Sequence, residues 1–184
     1  KQEHFWKTYF LHEIFPLLSP QIIDRRHPFP FLRNQEMYLG AMLKAKGASQ
    51  PSFGLIPISN QFQRIVFVPR DGKVTFVLVE ELIEHFAGIV FGKNAIQAKC
   101  LFRITRNADI TADEGMFDHD VDYRAVMSEL LKKRRKLAAV RLQTSLHASG
   151  EIVSFLCEKL FLPGKQVFAQ SAPLDLSVGF KLSA

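Results

Sequence analysis

The chain has little with which to staple itself, ligate a metal or cross a bilayer. Its 184 residues include only two cysteines, Cys100 and Cys157. Two cysteines far apart exclude a disulfide-dense scaffold, a metal knuckle and a CxxC redox pair. Both stand in apolar runs, which suits buried, reduced thiols. No window approaches the ~20 apolar residues of a membrane-spanning helix, and no signal-peptide pattern opens the chain. A reducing cytoplasm is the expected setting.

Catalytic signatures are equally scarce. Residues 88–93 read GIVFGK, one residue short between the glycines for a phosphate loop. Asn94 stands where a Ser or Thr would reach Mg²⁺, so a turn after a helix is expected there. His12-Glu13 cannot open an HExxH zinc site, because position 16 is Pro. Asp118, Asp120, Asp122 and Glu129 match positions 1, 3, 5 and 12 of a calcium loop. Tyr123, however, occupies the place where the sharp turn needs Gly. There is no GxSxG elbow, and the six His are scattered without ligand spacing. No catalytic residue and no metal ligand is assigned, and the chain does not read as a complete enzyme.

What is present is a globular composition, 47% apolar and 23% charged, with 17 Phe. That suits one domain with a proper core, with room for an added helix. Lys1 is not an initiator Met, and residues 1–15 read as the inside of a helix, so a piece of a longer polypeptide is expected. The net charge of +6 (24 Lys and Arg against 18 Asp and Glu) is local. Lys132, Lys133, Arg134, Arg135 and Lys136 supply five positive charges; without them the balance is 19 against 18. Acids at Asp109, Asp113, Glu114, Asp118, Asp120 and Asp122 precede this run. A helix over 120–136 with acids first and bases last complements its own macrodipole. The other reading of the run is a cationic patch for a polyanion such as nucleic acid or polyphosphate.

Periodicity organises the rest. Phe5, Trp6, Tyr9, Phe10 and Ile14 recur at helical spacing up to Pro16. Residues 19–33 contain three prolines, which argues for an extended, turn-rich crossing without regular structure. Strands are expected over 36–45, 53–58, 64–68 and 74–78, with a hairpin signal at Asp71-Gly72. A helix follows over 79–86, then a strand over 95–105 with Cys100, Phe102 and Ile104 on one face and Leu101, Arg103 and Thr105 on the other. After the 120–136 helix come a strand over 138–142, a helix over 149–160 and a last strand over 166–169. The fold class is therefore α+β, a mixed β-sheet packed with helices, strand-rich first and alternating later.

Four strings carry a family resemblance. Residues 24–32 read DRRHPFPFL, residues 102–109 FRITRNAD, residues 131–142 an Arg-rich helix end followed by VRL, and residues 173–176 PLDL. In this order they resemble the middle, or head, domain of the bacterial polyphosphate kinases that work through a phosphohistidine. The likeness spans about residues 10–180; Ala172 departs from it, where the family usually shows Gly. The Arg-rich helix also starts less acidic than the family leads one to expect.

The resemblance implies a parent enzyme that moves the terminal phosphate of ATP to and from polyphosphate. An N-terminal helical domain helps hold the nucleotide, and residues 1–18 would be its end or a linker helix, with the head domain over 19–184. Two C-terminal phospholipase-D-like domains carry the phosphorylated His and the Mg²⁺ ligands. ATP and Mg²⁺ therefore belong to the parent and no cofactor to this chain, and His27 is structural, not the nucleophile. The expected partners are those flanking domains, a second subunit in a homodimer, and polyphosphate. The parent would be cytoplasmic or peripheral at the inner face of the membrane. The candidate polyphosphate-binding or interface residues are Arg103, Arg106, Lys132, Lys133, Arg134 and Arg135. The competing reading for Arg103 and Arg106 is local pairing with Asp109 and Asp113. The competing function is a free-standing nucleic-acid module using the 132–136 run. It is the weaker one, because such modules interleave aromatics with their basic residues and this run has none.

Overall fold

Residues 37–44 are apolar at nearly every position, the pattern of a strand buried on both faces. The computed structural model describes residues 2–24, 27–47, 50–58, 61–68, 75–107 and 138–182. Its strands are β1 (Gln21–Ile23), β2 (Met37–Lys44), β3 (Ser52–Ile58), β4 (Ile65–Val68), β5 (Thr75–Leu78), β6 (Ala95–Arg106), β7 (Ala139–Ser145) and β8 (Val167–Gln170). Six of these form one sheet in the order β1-β3-β2-β6-β7-β8, while β4 and β5 form a separate hairpin. Every pair in the large sheet is antiparallel except β7 with β8. A parallel pair needs a crossover between its strands. The helix Gly150–Leu160, between β7 and β8 in the chain, supplies it.

The period of two along β2 feeds two cores. Met37, Leu39, Ala41 and Leu43 join one cluster, and Tyr38 and Met42 the other. The helices in chain order are α1 (Gln2–Tyr9), α2 (Val79–His85), α3 (Ala87–Phe91), α4 (Gly150–Leu160) and α5 (Val178–Leu182). The first core is closed by Leu82, Ile83, Phe86 and Phe91 of α2, α3 and their junction, and by Phe10 and Ile14 from the opening segment. The second is closed by Ile152, Leu156 and Leu160 of α4 and by Leu32. Ser149 caps α4 by accepting a bond from Ile152 N at 3.4 Å. The sheet is thus covered by helices on both faces, the mixed α+β arrangement that the alternation of elements implied. No helix among the described residues is long and apolar enough to cross a membrane.

Three local expectations are corrected. The opening helix is not α throughout: Phe10–Ile14 is a π turn closed by Phe15 N on Phe10 O, followed by a 3-10 turn over Phe15–Leu17. Pro16 has no N–H for the ordinary ladder, and the backbone re-registers around it. Residues 88–91 belong to α3 instead of a turn, and the reversal comes at Gly92 with φ +57°. The proline-rich crossing holds the short strand β1, placed at the sheet edge, where only one side needs partners. The helix expected over 120–136 lies outside the described residues.

Candidate functional site

Strand β6 carries the two candidate arginines that the structure describes. Alternation sends Cys100, Phe102 and Ile104 into the second core and Arg103 to the opposite face, with Leu101 and Thr105. There Arg103 Nε donates to Gln35 O at 2.8 Å, Nη1 to Leu174 O at 3.1 Å, and Nη2 to Gln35 Oε1 at 3.4 Å. Its Nη1 also lies 4.0 Å from Asp175 Oδ1. Gln35 adopts φ +56°, an uncommon conformation for a residue with a Cβ. The bonds from Gln35 N to Ile104 O (2.8 Å) and from Arg103 Nε to Gln35 O hold that turn against β6.

Arg106 grips the same loop one turn away. Its Nε donates to Leu32 O at 2.7 Å, its backbone N to Asn34 Oδ1 at 2.8 Å, and its guanidinium lies 4.0 Å from the Phe31 ring centre. Burial pulls its pKa down from the ordinary arginine value. Tyr38 completes the anchorage: its hydroxyl donates to Glu36 Oε2 at 2.5 Å and accepts from Arg33 N at 2.8 Å. Burial, and then the bond to Glu36, hold the Tyr38 phenol well above its usual pKa.

The same face carries a charge relay that sequence reading did not anticipate. Glu80, at the start of α2, is buried and receives Arg64 Nε at 3.0 Å and Nη2 at 2.6 Å. Arg64 Nη1 lies 2.8 Å from Asp175 Oδ2, close enough for an ion pair but off the hydrogen-bonding direction. Asp175 also accepts from Ser177 N (3.0 Å) and Oγ (2.9 Å). Partial burial alone would raise its pKa. The two Ser177 bonds, with Arg64 and Arg103, outweigh that and hold it below the usual carboxylate range. Glu80, Arg64, Asp175 and Arg103 therefore alternate in sign. Arg64, Asp175 and Arg103 of this set border a cavity of about 510 Å³ between the 33–37 loop, the start of α2 and the C-terminal segment.

Among the described residues this chemistry is positional: guanidinium groups hold backbone carbonyls and carboxylates of the chain itself. No group of three His, Cys, Asp or Glu is placed to hold a metal ion among them. His27 is exposed, its Nδ1 2.8 Å from Asp24 Oδ1. The structure brings Arg103 and Arg106 onto one loop. Lys132, Lys133, Arg134 and Arg135, with Asp109 and Asp113, lie outside the described residues. The carboxylate found beside Arg103 is Asp175, from the PLDL string, a signal present in the sequence but not tied to Arg103 by any spacing.

The comparisons with known proteins agree with one another. A family model described as the polyphosphate kinase middle domain matches residues 1–182. A polyphosphate kinase of Bacillus anthracis is 33% identical over 188 residues, which covers 99% of this chain and 26% of that protein. One from Halalkalibacterium halodurans is 32% identical over 188 residues, with the same coverage. One from Campylobacter jejuni subsp. jejuni is 33% identical over 169 residues, covering 91% of this chain and 24% of that protein. The crystal structure of a polyphosphate kinase from Porphyromonas gingivalis shares the fold, with a TM-score of 0.68 at 20% identity over 91% of this chain and 23% of that one. The chain spans about a quarter of the length of the curated relatives it matches. These likenesses do not favour a free-standing nucleic-acid module.

Proposed function

The chain belongs to the polyphosphate kinase middle-domain family, and from that premise we propose that it serves as the frame of a longer polyphosphate kinase. That enzyme moves the terminal phosphate of ATP to and from inorganic polyphosphate through a phosphohistidine. The phosphohistidine, ATP and Mg²⁺ sit on domains other than this one, and this chain alone transfers no phosphate. Residues 1–18 form the joint to an N-terminal helical domain. The far end leads to phospholipase-D-like domains, and the domain also meets its copy in a homodimer. The enzyme works in the cytoplasm, in part at the inner face of the membrane. Arg103 and Arg106 are positioning residues of the frame, and Lys132, Lys133, Arg134 and Arg135 supply cationic charge for its contacts with neighbouring domains.

The observation that carries this reading is where Arg64, Arg103 and Arg106 point. Between them they fasten the 32–35 loop and the 174–175 segment to β6 and α2. Segments far apart in the chain are thereby held in fixed relation, as a frame between domains requires. The test is to incubate the purified chain with ATP, Mg²⁺ and polyphosphate and to follow ATP consumption and acid-labile phosphohistidine. Neither is expected. Turnover, or phosphate on His27, would overturn the reading.

A further inference from the structure

A second cleft, between β6, β7 and β8, shares Arg103 and Gln35 with the fastening just described, while its other lining residues take no part in it. Strand β7 bulges there: Thr105 pairs with Arg141 and Arg106 with Ala139, which leaves Val140 without a partner. A bulge re-aims the side chains beside it. Val140 and Arg141 are accordingly both exposed, while Ala139 and Leu142 on either side of them are buried. The cleft, of about 620 Å³, brings together Thr105, Arg141, Gln143, Gln166 and Phe168 beside Arg103 and Gln35. No carboxylate is among its described lining residues, in contrast to the neighbouring cavity with Asp175 and Glu36. The Arg141 guanidinium lies 4.5 Å from the Phe168 ring centre, and it has no carboxylate partner among the described residues.

Arginine backed by an aromatic ring keeps its donor edge for a ligand. Amide and hydroxyl groups nearby add neutral donors, and no acid among the described lining residues sets a like charge against an anion. We propose that this cleft binds a chain of phosphate groups, with Arg141 pairing with phosphate oxygens and Thr105, Gln143 and Gln166 flanking the track. The identity of the ligand rests on the reading of the chain as part of a polyphosphate kinase; the donor geometry does not. A linear phosphate polymer suits an open cleft with several donors, because each successive phosphate offers the same oxygens to the next donor.

The test is to titrate the chain with sodium polyphosphate and follow backbone amide shifts by NMR. A variant with Lys132 to Lys136 changed to Gln runs in parallel, to remove non-specific attraction. Shifts are expected at Thr105, Arg141, Gln143 and Phe168 in both proteins, and Arg141→Gln should weaken binding about fivefold. Shifts confined to residues 132–136, or none in the cleft, overturn the cleft but leave the frame reading to its own assay. Shifts in the cleft with an oligodeoxynucleotide of equal charge, and none with polyphosphate, overturn the proposed ligand and leave the frame reading to its own assay. If the cleft amides move when Asp109, Asp113 and Glu114 are neutralised without polyphosphate, the occupant is the chain's own acidic stretch, and the proposal falls.

Discussion

The two ends of the large sheet are built to different rules. At the β3-β2 end both faces are covered, and the packing leaves no slack. A Cβ added at Gly54 would meet the Phe91 ring at 2.6 Å and Leu43 Cδ1 at 2.8 Å, and one at Gly40 would meet Phe53 at 2.8 Å. At the β7-β8 end the described residues cover only one face: Leu142 and Thr144 are buried, while Arg141 is exposed and Gln143 half-buried. The first end derives its stability from apolar burial. The second has a polar face available for something outside the described fold. Between the ends lies the Glu80, Arg64, Asp175 and Arg103 relay, whose members are charged yet largely withdrawn from water.

The sharpest way to break this contrast is to remove Arg64. Arg64→Met leaves Glu80 buried without its partner, and urea unfolding should show a loss of about 3 kcal/mol. The double variant Arg64→Met, Glu80→Leu should recover most of that loss, because no unpaired charge then remains buried. If the single variant costs nothing, the relay does not hold the frame. Next in size is Gly54→Ala, expected to cost about 2 kcal/mol through overpacking at the covered end. The same measurement reads it, and a neutral result would mean that Phe91 can step aside.

Asp175→Asn should be milder, about 1 kcal/mol or less, since the carboxylate is a third exposed. Its pH dependence carries the information. The Asp175 pKa is lowered in the fold from 3.8, so in that range the unfolded chain binds the proton first. Its stabilisation is present above 3.8 and fades as pH falls through the lowered folded value. The gap between wild type and Asp175→Asn in acid titrations should therefore close only below 3.8. A gap that is constant with pH would remove the charge from the explanation. The smallest effect belongs to the open end: Arg141→Gln should change stability by less than about 0.5 kcal/mol. A larger loss would mean that this face is part of the core.

Most of the elements could be read from local signals. The helical spacing in residues 5–14, the apolar run of β2 and the alternation in β6 are each set by neighbours within a few residues. The missed features have physical reasons too. The strand β1 exists only because β3 offers it an edge, and its own residues look like a proline-broken crossing. Segment 88–91 has glycine at its start, yet Phe91 is anchored in the first core, and that burial completes α3. Cys100 was legible as a buried thiol, and burial pushes it up to about 12. Arg103 was legible as a candidate, but its partners were not.

The sequence by itself determined the class of fold, the two-faced burial of β2 and the family likeness, because periodicity and short strings depend on residues close together in the chain. Only the tertiary structure decided what Arg103 touches. Its contact Leu174 is 71 positions away, and its other partner, Gln35, is 68 positions away on the opposite side. Charges attract through space without regard to chain order, so local acids such as Asp109 offered a plausible pairing that no spacing rule could set against Asp175. The same holds for the bulge at Val140, which turns Arg141 into a cleft. It arises where two strands meet, and one strand read alone carries no trace of it.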